Sequence, residues 1–373
     1  MMKKIILIIT CFLTMSSLSA QKEKSAHDLK GKVVNAGTNT PVSYTNIGIE
    51  GTYFGTASDA EGNFELNIPA EFSDRQIFFS AVGFKNRKFP VSDLFGKDFN
   101  LIKLEAQTYS IEDIDVNAQS MVLYRILRTA SENVPRNFVK GPFNMDCSYE
   151  YEKDTGNKKY TRTATVTIYD QTGYSTPGIE DAFKNRNYSF SNVKQNFESY
   201  TLSDGTTNLD EILGLDMARS VSSVLDPANQ SQLSLSQEQD SEENGVDVWI
   251  IGFKLPKPNL QGSGDFYVTR FEGKIYINKN NYEVKKIEGW VKSEKQNPAG
   301  RGLAIGPKTK EFLKDVNYDF TVSYNSDGLD FISLNKYYKW EGNAVNEKTR
   351  LVVNAIKTTK VSAISSRDYF VGK

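Results

Sequence analysis

Residues Gly31–Phe64 read GKVVNAGTNTPVSYTNIGIEGTYFGTASDAEGNF. In this stretch, short β-branched runs such as Val33 and Val34 alternate with turn residues such as Pro41 and Gly62. Gly, Asn, Asp and Pro favour tight turns, and short β-branched runs favour strands. The stretch therefore predicts a small unit built from several short strands and hairpins.

The order and spacing of these runs resemble the carboxypeptidase-regulatory-like domain, a transthyretin-like β-sandwich. The resemblance implies a seven-stranded sandwich, which we place at residues 29–105, in a protein of the Gram-negative cell envelope. It does not imply peptidase activity. The metallocarboxypeptidase zinc site needs two histidines and a glutamate, and this chain has a single histidine.

The first 20 residues have the pattern of a secretory signal peptide. Lys3 and Lys4 precede the apolar run Ile5–Leu13, and small residues lead up to Ala20. A transmembrane anchor is the alternative, but a bilayer-spanning helix needs roughly 20 apolar residues. We therefore expect cleavage after Ala20, a polar leader at residues 21–28, and a mature protein in the periplasm or at the outer membrane.

Histidine and cysteine usage argues against most enzyme classes. The one histidine, His27, falls in the leader, which we expect to be mobile. Catalytic triads, Cys–His dyads and His-based zinc sites need a positioned imidazole. Cys147 lies in an alternating, strand-like run and is expected to be a small half-buried side chain. We predict no enzyme, no cofactor and no metal site, with catalysis by paired carboxylates as the remaining alternative.

The charge balance argues against nucleic-acid binding. The chain has 45 basic and 46 acidic residues and no basic stripe of the kind that nucleic acids require. Aromatic residues make up 12% of the chain, which favours a strand-rich protein because aromatic side chains pack well on a pleated sheet.

Residues 106–140 are predicted to hold a linker strand and an amphipathic helix. Tyr109–Val116 resembles the segment that docks to the energy-transducing partner in TonB-dependent receptors, but an edge or linker strand is favoured. Met121–Asn133 has apolar residues at helical spacing. Ser120 is expected to cap this helix, and Pro135 to follow its end.

Residues 141–373 are predicted to form a larger antiparallel β-rich domain. Along residues 316–324, apolar side chains alternate with polar ones, which predicts one buried face and one solvent-exposed face. Leu209–Leu225 is expected to be a helical insertion. Residues Gln230–Asn244, including Glu238 and Glu243, are expected to be a solvated loop, and Asn297–Lys308 a Gly-rich loop.

The hairpin Phe271–Gly289 looks like part of the lipoprotein-carrier class of half-barrels. In that class a curved antiparallel sheet wraps an apolar cavity, and short helices act as a lid. The resemblance implies that apolar residues of the helical insertion form the lid of an apolar groove. These candidate lid residues are Leu209, Ile212, Leu213, Met217 and Val221.

The predicted fold class is thus mainly β: a seven-stranded β-sandwich, a short helix, and a larger half-barrel-like antiparallel sheet with a helical insertion. The favoured function is a non-enzymatic envelope protein, with a sandwich adaptor and a domain that binds a ligand or partner at the periplasmic side of the outer membrane. The alternatives are a lipid or lipoprotein carrier and a small outer-membrane β-barrel. The expected partner is an envelope protein or a lipid, with peripheral association with the outer membrane.

Overall fold

A computed structural model describes residues 27–43, 45–52, 54–107, 116–175, 186–197, 209–238, 241–243, 245–296 and 312–365. The predicted signal peptide, the segment 109–115 and the Gly-rich loop 297–308 lie outside these ranges. Within the described ranges, none of the helices combines the length and the hydropathy that crossing a bilayer requires.

The first seven strands form a β-sandwich, as predicted. They are β1 (His27–Asn35), β2 (Asn46–Ile49), β3 (Gly55–Ala57), β4 (Asn63–Ile68), β5 (Gln76–Ser80), β6 (Arg87–Pro90) and β7 (Asn100–Leu104). One sheet has the order β4-β1-β7 and the other the order β3-β2-β5-β6. Side chains of both sheets, including Leu29, Val33, Ile47, Phe79 and Leu104, share one buried core.

The prediction that His27 lies in a mobile leader is wrong. His27 is the first residue of β1 and pairs with Ile68 of β4. Its imidazole stacks on the ring of Phe95, with 4.1 Å between ring centroids. The first strand therefore begins two residues before the predicted start at Leu29.

The remaining strands form one antiparallel sheet. They are β8 (Phe143–Asp154), β9 (Lys159–Asp170), β10 (Arg186–Gln195), β11 (Ser234–Gln237), β12 (Ser241–Glu243), β13 (Val246–Lys254), β14 (Val268–Asn278), β15 (Val284–Gln296), β16 (Leu313–Tyr324), β17 (Leu329–Trp340) and β18 (Asn343–Lys357). The order is β10-β9-β8-β18-β17-β16-β15-β14-β13-β11, and β12 also pairs with β13. The sheet is not closed, and the predicted fold class is confirmed.

In the part of the chain that the structure describes, five α-helices accompany this sheet: α1 (Val116–Asn137), α2 (Leu209–Leu213), α3 (Met217–Ser220), α4 (Pro227–Gln230) and α5 (Leu260–Ser263). Apolar side chains from α1, α2 and α3 join one core with apolar residues of the sheet, such as Ile275, Ile287 and Phe320. We call this side of the sheet the helix face.

Two glycines allow large rings to lie across the centre of the helix face. Gly273 of β14 and Gly289 of β15 are directly opposite each other. The ring of Phe253 lies over Gly273 and that of Phe320 over Gly289, so a Cβ at either position would collide with a ring. These glycines lie in the hairpin whose sequence is the strongest pattern of this domain.

The amphipathic helix is longer than predicted. α1 continues through Pro135 to Asn137, and Ser120 lies inside it rather than at its N-cap. Burial of Leu127, Ala130 and Val134 along one side continues to the last turn. That packing offsets the backbone hydrogen bond that Pro135 cannot donate.

The prediction of a solvated loop at Gln230–Asn244 is also wrong. This segment contains β11 and β12, which pair with β13. The side chains of Glu238 and Glu243 are buried, and each pairs with a buried lysine of the sheet.

The predicted helical insertion Leu209–Leu225 is not one continuous helix. It is divided into α2, α3 and a 3₁₀ turn at Ser223–Leu225, with Val221 in the left-handed conformation after α3.

A buried charge cluster ties the helical segment to the sheet. Asp170, at the end of β9, accepts hydrogen bonds from Arg186 at 2.8 Å and from Arg219 of α3 at 2.9 Å. Arg186 also pairs with Asp216 at 2.8 Å, and Asp216 accepts a hydrogen bond from Tyr174. Although burial favours the neutral acid, the two guanidinium groups hold the pKa of Asp170 below its usual value.

We expect Asp170→Asn to lower the free energy of unfolding by about 3 kcal/mol or more, because it removes the negative charge between two buried guanidinium groups. Urea unfolding at neutral pH measures this change. A loss below about 1 kcal/mol would show that the cluster contributes little to stability.

Candidate functional site between the sandwich and the sheet

The second face of the large sheet is polar and is covered at its centre by the sandwich. We call it the sandwich face. The prediction that this face is solvent-exposed is wrong along β16, where Asp319, Thr321 and Ser323 are all buried. The alternating pattern correctly separates the two faces, but the polar face meets a second domain rather than water.

Glu288 of β15 lies at the centre of the contact between the two domains. Its Oε2 accepts hydrogen bonds from the Ser80 hydroxyl at 2.9 Å and from the Tyr276 hydroxyl at 3.0 Å. Its Oε1 accepts one from the Asn46 amide at 3.1 Å, and Asn46 also donates to Thr321 at 3.0 Å. Asn46 and Ser80 belong to the sandwich, so one buried carboxylate joins both domains.

Lys286 supplies the positive charge beside Glu288. Its Nζ lies 3.0 Å from the carboxylate of Glu243 and 3.4 Å from that of Glu288. The ammonium group also lies over the rings of Tyr276 at 4.0 Å and of Phe78, from the sandwich, at 4.7 Å. Burial alone would lower the pKa of Lys286, but the two carboxylates raise it above its usual value.

Lys274 makes a second set of contacts between the domains. Its Nζ donates to the Phe84 carbonyl at 3.1 Å and to Asn86 Oδ1 at 2.8 Å. Asn86 in turn donates to the Tyr276 hydroxyl at 3.0 Å. Burial lowers the pKa of Lys274, and the nearby carboxylate of Glu238 offsets this only in part. The sandwich thus supplies neutral acceptors to this lysine.

Two cavities lie at this interface. A polar cleft of about 470 Å³ is lined by Glu50, Asp74, Arg75, Gln76, Lys88, Glu242 and Gly245. Within it, Lys88 Nζ lies 2.6 Å from Glu50 Oε1 and 3.2 Å from the Glu242 carbonyl, so the cleft joins the sandwich to β12. Its charged lining suits a polar or charged ligand rather than an acyl chain.

The second cavity is about 20 Å³, enough for one water molecule at most. Asp319 lines it, together with residues of the sandwich such as Asn46 and Phe54. Asp319 Oδ2 accepts a hydrogen bond from Asn335 at 2.8 Å. Burial raises the pKa of Asp319 to about 7, and the hydrogen bond from Asn335 and the charge of Lys348 counter this only in part.

The candidate lid residues lie on the opposite side of the sheet, at the helix face. Leu209, Ile212 and Leu213 belong to α2, and Met217 to α3; all four are buried in the large core. Val221 is partly buried and packs against the same core. The structure therefore brings the five residues into one cluster, while their role as a lid stays a prediction.

The interface residues Lys274, Tyr276, Lys286 and Glu288 were not singled out by sequence reasoning. A signal is present in the hairpin itself, where Lys274 is directly opposite Glu288 and Tyr276 opposite Lys286. A cross-strand pair of opposite charges also stabilises a sheet whose polar face is exposed to water. The pair alone therefore does not distinguish a domain interface from a solvated face.

The described residues offer little for redox or metal chemistry. Within them, no group of three or more His, Cys, Asp or Glu side chains is arranged to hold a metal ion. Cys147 is fully buried in β8, and burial raises the pKa of its thiol to about 12. The protonated thiol is a small core side chain there rather than a nucleophile.

The N-terminal domain is matched by a known family. Residues 29–116 match the family model of the CarboxypepD_reg-like domain. This agrees with the resemblance of the Gly31–Phe64 stretch. A comparison with curated proteins gives no match.

Three solved structures share a remote likeness with this chain. A domain from Vibrio parahaemolyticus described as an outer membrane lipoprotein-sorting protein is 11% identical, with a TM-score of 0.28, over 65% of this chain and 95% of that one. A LolA superfamily protein from Nitrosomonas europaea is 10% identical, with a TM-score of 0.26, over 66% and 96%. A DUF1329 family protein from Desulfovibrio piger is 8% identical, with a TM-score of 0.29, over 65% and 95%.

The descriptions of the first two structures, by lipoprotein sorting and by the LolA superfamily, match the weak similarity to lipoprotein carriers predicted for the C-terminal part. TM-scores below 0.3 are too low for these likenesses to carry an argument about function.

We expect Glu288→Ala to destabilise the protein by about 3 kcal/mol or more, because it leaves the buried hydroxyls of Ser80 and Tyr276 without their acceptor and removes a carboxylate beside the buried Lys286. Since Glu288 joins the two domains, the sandwich should also unfold separately, giving two transitions in differential scanning calorimetry. Glu65→Ala, which removes an exposed ion pair with Lys30, is the matched control. A single transition at the wild-type midpoint for Glu288→Ala would contradict this role.

Stability should fall as pH rises through neutrality because of Asp319. With its pKa raised to about 7, the folded chain keeps a proton that the unfolded chain releases above about pH 4. The free energy of unfolding should therefore decrease, on the order of 2–4 kcal/mol, between about pH 5 and about pH 8.

Asp319→Asn should flatten this pH dependence, because an amide does not titrate. The control is Asp315→Asn, since Asp315 is on the same strand but exposed, and Lys339 lowers its pKa. Urea unfolding across this pH range measures both variants. Equal slopes for wild type and Asp319→Asn would show that Asp319 does not hold the proton.

Proposed function

We propose that this protein is a non-enzymatic, exported binding protein of the cell envelope, in which the sandwich is an adaptor fixed to a β-rich binding domain. The observation that supports this most directly is the buried contact of Glu288 with Asn46 and Ser80. An accessory domain on a flexible linker would keep such polar groups hydrated. Here their desolvation favours one relative orientation of the domains.

The envelope location rests on the sequence. The signal-peptide pattern at residues 1–20 predicts export, and the CarboxypepD_reg-like domain at residues 29–116 resembles a domain of Gram-negative envelope proteins. We place the protein at the periplasmic side of the outer membrane on these two grounds.

Binding is favoured over catalysis by the chemistry of the cleft and of the chain. The single histidine stacks on Phe95 in the sandwich core region and does not line the cleft. Glu50, a cleft carboxylate, already pairs with Lys88. The exposed charges of Asp74 and Arg75 at the cleft suit recognition of a polar group on a ligand or partner.

Export and binding can be tested in one strain. Cell fractionation should recover the mature chain in the envelope, beginning at Gln21. Leu7→Arg, which breaks the apolar run of the signal peptide, should retain the protein in the cytoplasm.

The cleft can be tested as the binding site by photo-crosslinking in the same strain. A photo-crosslinking side chain at position 75, in the cleft, should give a discrete adduct. The same side chain at position 103, exposed on β7, is the control. Export without any adduct specific to position 75 would contradict the cleft as the binding site.

A lipid carrier is the second candidate, favoured by one observation. The candidate lid residues of α2 and α3 lie directly on the apolar helix face, so moving them would uncover a continuous apolar surface. Burying an acyl chain contributes about 0.8 kcal/mol for each CH₂ group. A modest groove would therefore be sufficient to hold a lipid.

Native mass spectrometry of mature protein purified without detergent, with lipid extraction in parallel, separates the two candidates. A copurifying lipid mass would favour the carrier. A lipid-free mass, together with adducts specific to position 75, would favour the adaptor.

A further inference from the structure

One end of the large sheet presents an exposed aromatic side chain on a rigid support. Phe266, between α5 and β14, is 60% exposed. Its ring packs edge-on against Tyr267, with centroids 5.0 Å apart, and Tyr267 packs against Phe312, which precedes β16. Phe266 therefore extends from a supported group of three aromatic rings at this end of the sheet.

A buried carboxylate holds this aromatic loop in place. Asp265 is fully buried and accepts hydrogen bonds from the Tyr267 backbone N–H at 2.8 Å and from the Ser293 hydroxyl at 3.1 Å. The Tyr318 hydroxyl donates to its other oxygen at 3.1 Å. On the preceding side, Gly264 ends α5 in the left-handed conformation. The exposure of Phe266 is thus built into the fold.

Lysines lie in a row beside these rings. Lys295 of β15 is directly opposite Lys314 of β16, and Lys314 is directly opposite Lys339 of β17. Lys295 Nζ lies 4.8 Å from the centre of the Tyr267 ring and 5.3 Å from that of Phe312. Like charges directly opposite each other destabilise a sheet, and an anion bound beside the row would relieve this repulsion.

The carboxylates near the row neutralise it only in part. Asp315 pairs with Lys339 at 2.8 Å, and Glu294 is exposed on β15. Lys292, also exposed, adds a fourth positive charge beside Asp315. Among the described residues at this end of the sheet, four lysines therefore stand against two carboxylates.

We propose that this aromatic–lysine end, defined by Phe266, Tyr267, Phe312, Lys295, Lys314 and Lys339, docks the protein on an anionic lipid surface. Aromatic side chains partition to the headgroup region of a bilayer, and lysines are attracted to anionic headgroups. A flat lipid surface contacts the ring of Phe266 and several lysines at once. This inference deepens the proposed envelope function and rests on it for the source of the lipid.

Vesicle sedimentation with purified mature protein tests the docking independently of export. The wild type should bind vesicles of equimolar phosphatidylglycerol and phosphatidylcholine, should bind pure phosphatidylcholine weakly, and should release at high salt. Phe266→Ser and Lys314→Gln should each lower the bound fraction several-fold. Phe99→Ser and Lys103→Gln, at exposed positions of the sandwich, should bind like wild type.

Equal binding by wild type and the Phe266 and Lys314 variants would overturn the proposal, provided that circular dichroism shows all of them folded. Binding to soluble polyglutamate but not to vesicles, lost in the same variants, would also overturn it and assign this end to an acidic protein. Failure of export in cells would contradict the proposed function and leave the vesicle result standing.

Discussion

The structure depends on one buried carboxylate, that of Glu288, which accepts hydrogen bonds from two residues of the sandwich and one of the sheet. Removing a charge from water costs free energy, and the interactions of a buried charge with its partners rarely stabilise the fold by more than that cost. Such a contact fixes the relative orientation of the domains, because a rotated or shifted sandwich would take Asn46 and Ser80 away from Glu288 and the Phe84 carbonyl and Asn86 away from Lys274. The cleft beside Glu50 and Lys88 has a defined shape for the same reason.

The two faces of the large sheet are stabilised by different kinds of interaction. The helix face is held by apolar packing, in which rings lie over Gly273 and Gly289, and such packing tolerates small shifts of the helices. The sandwich face is held by directional bonds that allow one arrangement. A ligand that enters the helix face would displace apolar side chains, whereas one that enters the cleft would compete with ion pairs.

Local signals in the sequence were enough for most of the strands and for the sandwich, because turn residues and alternation act over a few positions. The polar contacts between domains could not be predicted, since Asn46 and Glu288 are 242 residues apart and Asn86 and Tyr276 are 190 apart. The sequence does not predict β10, because its polar run RNYSFSNVKQ lacks the alternating pattern of a half-buried strand. The five candidate lid residues lie in one core cluster and their role as a lid stays a prediction, while Val221 adopts the left-handed conformation that ends α3.

The position of β18 has a consequence for how the chain reaches its final state. β18 lies between β8 and β17, and its Arg350 contacts Glu150, 200 residues earlier. Until residues 343–357 are available, β8–β10 and β11–β17 form two separate sheets, each with an unpaired edge strand. Pairing β8 with β18 joins residues about 200 positions apart, and such non-local pairs cost more loop-closure entropy than local hairpins. A chain truncated before β18 would leave the backbone hydrogen-bonding groups of β8 and β17 unpaired along one edge of each strand. Such edges pair with other chains, so the truncated protein would aggregate.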